Sequence, residues 1–107
     1  MPVEDLTDDV FAARIAAAPF AVVDFHAAWC GPCLMFKPKF KRIANDYPDI
    51  AFFTVDGEKA PAARKTVQID NLPFFGFYRD GQLVEGISTA TEDGFRRFID
   101  RNLGRVA

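Results

Sequence analysis

At 107 residues, half of them apolar and twelve of them phenylalanine, the chain is long enough for one compact core and too short for two, so a single domain over residues 1–107 is expected. Thirteen Lys and Arg nearly balance fifteen Asp and Glu with no long run of one sign, which excludes nucleic acid as the main partner because phosphate contacts need clustered bases. The N-terminal Met1-Pro2-Val3-Glu4-Asp5 carries acids where a secretory signal carries bases, and no bilayer-spanning apolar segment follows, so a cytoplasmic protein with no membrane partner is expected.

Thr7 is placed to cap a helix from Asp8 to about Ala18, with Val10, Phe11 and Ile15 at helical spacing and two acids at its positive end. Pro19 stops it. Phe20 to Ala27 is almost wholly apolar, the pattern of a central strand covered on both faces. After Cys30-Gly31-Pro32-Cys33 a second helix is predicted to about Tyr47, with Met35, Phe36, Phe40, Ile43 and Ala44 on its apolar side and Pro38 inside it as a kink. Ile50 to Val55 reads as a buried strand, and Ala60 to about Val67 as a short helix opened by Pro61. Phe74 to Arg79 and Leu83 to Ser88 are strands joined by Asp80-Gly81, the dipeptide of a tight antiparallel hairpin. Thr89-Ala90-Thr91-Glu92 offers a capping box for a last helix, striped by Phe95, Phe98, Ile99 and Leu103 and ended by Gly104. The order helix, strand, helix, strand, helix, strand, strand, helix implies an α/β fold with parallel crossovers first and a closing hairpin.

Only two residues separate the two cysteines, which does not resemble the dispersed framework that staples small secreted domains. A closed zinc site needs about four ligands, and the only histidine is His26, so no metal is expected. The pair instead lies between a buried strand and a helix start, where free backbone N–H groups and the helix dipole stabilise an anion. Cys30 is therefore expected to be an exposed thiolate, with Cys33 more buried one turn away and able to release a mixed disulfide. Pro32 helps to start the helix, and Gly31 leaves room for an incoming chain.

Val23-Asp24-Phe25-His26-Ala27-Ala28-Trp29-Cys30-Gly31-Pro32-Cys33-Leu34-Met35-Phe36-Lys37-Pro38 resembles the active-site segment of the thioredoxin family almost throughout. Leu72-Pro73-Phe74 is similar to that family's cis-proline segment, and Val84-Glu85-Gly86 to the stretch carrying its substrate-groove glycine, so the resemblance covers nearly the whole chain. It implies a thioredoxin fold, a central mixed sheet with helices on both faces, and a protein disulfide reductase donating electrons to target proteins. By the same resemblance Cys30 is the nucleophile, Cys33 the resolving thiol and Asp24 the buried carboxylate, an acid inside the most apolar run of the chain. Trp29, Leu72, Pro73, Gly86 and Ile87 fall on substrate-binding positions, Glu58 on that of an acid receiving the Trp29 N–H, and Pro38 on a structural one.

No bound cofactor is implied: electrons pass through a Cys30–Cys33 disulfide and come ultimately from NADPH through a thioredoxin reductase, with disulfide-containing proteins as substrates and a monomer as the working form. His26 stands where the family usually has an aromatic, Leu34 where a lysine often follows, Phe74 where a threonine often does, and Thr54 where some members place a lysine near the buried acid. His26 is read as packing in preference to a proton relay. Disulfide isomerases resemble this chain less, since they carry His in place of Pro32. A binding module or holdase using the apolar rim of Trp29, Leu72, Pro73 and Ile87 is the reading from a different class.

Overall fold

The computed structural model describes residues 3–105. Nine elements follow in chain order: β1 (Glu4–Asp5), α1 (Asp8–Ala17), β2 (Phe20–His26), α2 (Gly31–Ala44), β3 (Ala51–Asp56), α3 (Pro61–Arg64), β4 (Phe74–Arg79), β5 (Gln82–Ser88) and α4 (Glu92–Asn102). The strands form one sheet in the order β1-β3-β2-β4-β5. β2 pairs parallel to β3 and antiparallel to β4, so the most apolar strand is the central one and is covered by neighbours on both edges.

Alternation along β2 divides the core. Ala21, Val23 and Phe25 face a cluster with Phe11 and Ile15 of α1 and Ala63 of α3, while Val22 faces a second cluster with Phe36, Phe40 and Ile43 of α2 and Phe95, Phe98 and Ile99 of α4. The second layer is strongly aromatic: Phe75 and Phe95 have ring centroids 4.4 Å apart, and Phe36 and Phe75 5.2 Å, which fixes α2 and α4 against the sheet. Asp24, two residues after Val22, is thereby directed to the α2 side of the sheet.

Several ends differ from expectation. Thr7 occupies the N-cap of α1, but its hydroxyl donates to the Asp9 carboxylate and accepts from no backbone N–H. No capping box forms at α4: Thr91 caps alone by accepting from the Gly94 N–H at 3.1 Å, and Glu92 is drawn to Arg42 and Arg96. The helix predicted over 60–67 shrinks to Pro61–Arg64, because only Ala63 within it is buried and packing, more than propensity, sustains a helix. β1 was not foreseen; two exposed acidic residues give no alternation to read, and the strand exists by pairing with Phe53 and Thr54 of β3. The hairpin is as expected, with Asp80 at φ 51° and Gly81 at φ 82°. Gly104 at φ 78° ends α4 in a Schellman arrangement, its N–H reaching Arg101 and that of Arg105 reaching Asp100.

Gly86 has a packing role of its own. A Cβ there would lie 2.3 Å from Cζ of Phe74, a buried ring held in the core. Gly86→Ala is expected to lose about 1–3 kcal/mol of stability, read as a lower midpoint in thermal unfolding.

Candidate functional site

The turn after β2 closes with the Cys30 N–H donating to the Ala27 carbonyl at 3.1 Å, which places Cys30 at the N-cap of α2. Gly31 and Pro32 fill the first two helical positions, where a missing proline N–H leaves no intrahelical bond unmade. At the third, the Cys33 N–H donates to Cys30 Sγ at 3.2 Å. The two cysteines are joined as a disulfide with their Cα atoms 5.3 Å apart. Once the bond is reduced, this N–H and the positive end of a 14-residue helix favour negative charge on Cys30 Sγ.

The expected contrast in exposure is corrected: Cys30 is 4 % exposed and Cys33 3 %. Ala27 and Leu72 pack against the pair, and the bond to Cys33 keeps the Cys30 sulfur close to the helix. The cysteines differ instead in the cavity each one lines. Cys30 opens on a groove of about 480 Å³ together with Trp29, Gly31 and Pro32, and across from them Ile69, Asp70, Asn71 and Leu72. Trp29, 73 % exposed, flanks this groove. The Leu72–Pro73 peptide is cis, as the resemblance implied. The Ser88 hydroxyl holds the preceding loop by donating to Asp70 Oδ1 at 3.1 Å and the Asn71 carbonyl at 2.9 Å.

Other expected groove residues lie differently. Gly86 and Ile87 line a separate depression with Phe74, Thr66 and Val67, in which Gly86 lies against the Phe74 ring. Glu58 does line the groove, but no hydrogen bond joins it to the Trp29 indole among the described residues, since that ring projects into solvent. Pro38 lies within α2 and is exposed; lacking an N–H, it leaves the Leu34 carbonyl without its helical donor. Sequence reasoning misses four groove residues: Ile69, Asp70 and Asn71 come from an irregular segment with no periodicity to read, and Arg64 ends the one-turn helix α3.

Cys33 lines a second cavity, of about 420 Å³, shared with Asp24, Thr54, Lys37 and His26. Asp24 is 2 % exposed and its Oδ1 has no hydrogen-bond partner. Burial pushes its carboxyl up to about 7, against a smaller downward pull from the Lys37 ammonium. Thr54 is the register partner of Asp24, yet its hydroxyl donates to Asp5 at 2.7 Å. His26 is half-buried with Nε2 3.9 Å from Asp5 Oδ1, so the ring contacts an acid at the cavity mouth as well as packing. Among the described residues no three His, Cys, Asp or Glu side chains converge as a metal site, and no helix is long and apolar enough to cross a membrane.

A Cys30–Cys33 disulfide at a helix N-cap, facing a cis-proline loop on one side and a buried acid on the other, defines a thiol-disulfide oxidoreductase of the thioredoxin fold. Comparison with known proteins agrees. The Thioredoxin family model matches residues 2–101. A thioredoxin of Geodia cydonium is 35 % identical over 92 residues, covering 85 % of this chain and 87 % of that protein. Oxidised mitochondrial thioredoxin 3 of Saccharomyces cerevisiae superposes with a TM-score of 0.86 at 31 % identity, over 92 % of this chain and 94 % of the other. Thioredoxin f2 in complex with ferredoxin:thioredoxin reductase gives 0.89 at 25 % identity, over 95 % and 96 %. The chain belongs to the thioredoxin family, and its activity is the reduction of protein disulfides by thiol-disulfide exchange.

Proposed function

We propose that the chain, acting as one thioredoxin domain and as a monomer, is a general electron donor to disulfide-containing proteins in the cytoplasm. Cys30 is the nucleophile, Cys33 the resolving thiol and Asp24 the proton acceptor. The Cys30 thiolate attacks a substrate disulfide, forming a mixed disulfide and releasing one substrate thiolate. Asp24 takes the Cys33 proton, the Cys33 thiolate attacks Cys30 Sγ, and the second substrate sulfur leaves as a thiolate, which takes up a proton from Asp24 or water. Two electrons pass to the substrate and the Cys30–Cys33 disulfide remains. The carrying observation is the placement of Cys30 Sγ at the N-cap of α2, accepting the Cys33 N–H while opening on the groove.

Trp29 and Leu72 form the substrate-binding rim of that groove, with Gly31 and Pro32 tuning the dithiol; Pro73 is buried behind Leu72 and does not line the groove. Leu72 supplies a backbone edge through its carbonyl, since its N–H already donates to Asn71 Oδ1 at 3.0 Å. Regeneration requires a dithiol donor. A thioredoxin reductase drawing on NADPH is the proposed source; the related thioredoxin f2 is instead held by a ferredoxin:thioredoxin reductase in its own complex.

Insulin reduction followed by turbidity tests the reading, with dithiothreitol and then with NADPH plus thioredoxin reductase as electron source. Rates well above background with both are expected. No acceleration with either would favour a binding module built on the same rim, and a rate with dithiothreitol alone would retire the proposed reductase.

A further inference from the structure

Asp24 is a buried acid whose strand partner brings no charge. At its register position across β3 stands Thr54, with its hydroxyl committed to Asp5. The cavity that Asp24 shares with Cys33 is nevertheless not without cations. From α2 it receives Lys37 and Lys41, and from the turn after β3 Lys59; its acids are Asp5 of β1 and Asp56 of β3, and His26 of β2 is its remaining titratable group. These surroundings are not equivalent toward Asp24. Asp5 is engaged by Thr54 Oγ1 and lies 3.9 Å from His26 Nε2, and Asp56 accepts from the Glu58 N–H at 2.9 Å.

Lys37 is distinguished by its place in the helix. It follows Cys33 by four residues, so the two side chains lie on one face of α2, one turn apart, over the same cavity as Asp24. No ion pair claims its ammonium group among the described residues. Its charge is also the one felt by Asp24, opposing the upward push of burial.

We infer that Lys37 is a positioning residue for the resolving step: its positive charge, supplied from the helix in place of the strand, holds Asp24 ready to accept the Cys33 proton. The inference rests on the reading of Asp24 as that acceptor. Without the cation, the ionised carboxylate loses the favourable charge that opposes burial, and the protonated form is favoured. A smaller fraction of Asp24 is then ionised at neutral pH, and release of the mixed disulfide slows in proportion. Attack by Cys30 on substrate needs no proton acceptor and is affected less.

The test compares Lys37→Met, Lys37→Arg and the parent protein by carboxyl ¹³C NMR titration of the oxidised form, in which neither cysteine titrates. Lys37→Met is expected to move the Asp24 midpoint up by roughly 0.5–1 unit. Lys37→Arg is expected to leave it within roughly 0.2 unit, since the charge is kept. Stopped-flow release of a mixed disulfide should slow about 2- to 5-fold at pH 7 in Lys37→Met, the loss of ionised Asp24 that such a shift implies. The difference should close above about pH 9 and narrow at high salt. A purely structural role for Lys37 would change the unfolding temperature without moving the midpoint. An unmoved midpoint in Lys37→Met, or an equal shift in Lys37→Arg, overturns the inference. Asp24→Asn separates the two levels: unchanged release in that variant removes the reading of Asp24 itself, whereas slowed release with an unmoved midpoint in Lys37→Met removes Lys37 alone.

Discussion

Cys30→Ser is expected to abolish disulfide reduction, by about a thousandfold or more, while Cys33→Ser stops the reaction half-way with substrate still attached. The difference follows from the helix start. Cys30 Sγ lies where the Cys33 N–H and the dipole of α2 stabilise a thiolate, and it faces the groove that admits substrate. Cys33 faces the cavity it shares with Asp24 and does not line that groove. Mass spectrometry of each variant mixed with a disulfide substrate reads the adduct. Trapping is expected with Cys33→Ser only. An adduct on Cys33 in the Cys30→Ser protein, with none in the reverse case, would exchange the two roles.

Asp24→Asn should stabilise the fold and slow turnover together. The folded carboxyl is pushed up to about 7 by burial, whereas in the unfolded chain it titrates near the ordinary value of about 3.9. Between these values the native state binds the extra proton. The stability that this binding contributes is fully present below the unfolded value and is lost as pH rises through the folded one. A rise of about three units corresponds to a ceiling of about 4 kcal/mol lost by pH 8–9. Asparagine carries no charge to desolvate but keeps a buried polar group where Oδ1 already lacks a partner, so its gain stays below that ceiling. Denaturant unfolding should show the variant more stable than the parent at pH 8, with the gap closing below pH 5. Mixed-disulfide release should meanwhile slow at pH 7. A variant less stable at pH 8, or one with undiminished release, contradicts the assignment.

The parts legible in the sequence are those in which local chemistry and burial agree. Phe20 to His26 is apolar on both faces and became the central strand; Asp80-Gly81 became the hairpin turn, with both residues at positive φ. Cys30 to Cys33 is a continuous segment whose function is set by the helix it begins, so one stretch of sequence contains the chemistry. What escaped depends on tertiary contact. β1 is held only by its pairing with β3. The burial of Cys30 comes in part from Leu72, forty-two positions away in the sequence and visible only once the fold brings the cis-proline loop onto the cysteines. Gly86 was read as part of the groove by resemblance, whereas in this chain the bulk of Phe74 fills the space beside it. The phenylalanine that departs from the family pattern is thus the residue that gives this glycine its work.

The central claim is that the protein exchanges its own two thiols for one substrate disulfide, and a single-turnover thiol count tests it most directly. Fully reduced protein, freed of dithiothreitol, is mixed with excess insulin and quenched with an alkylating agent, and both partners are then weighed by mass spectrometry. For every insulin disulfide opened, one molecule should lose two alkylatable thiols and carry the Cys30–Cys33 bond, with substrate and protein changing in a one-to-one ratio. Insulin left intact while both cysteines stay alkylatable, or disulfides opened without formation of that bond, would contradict the account.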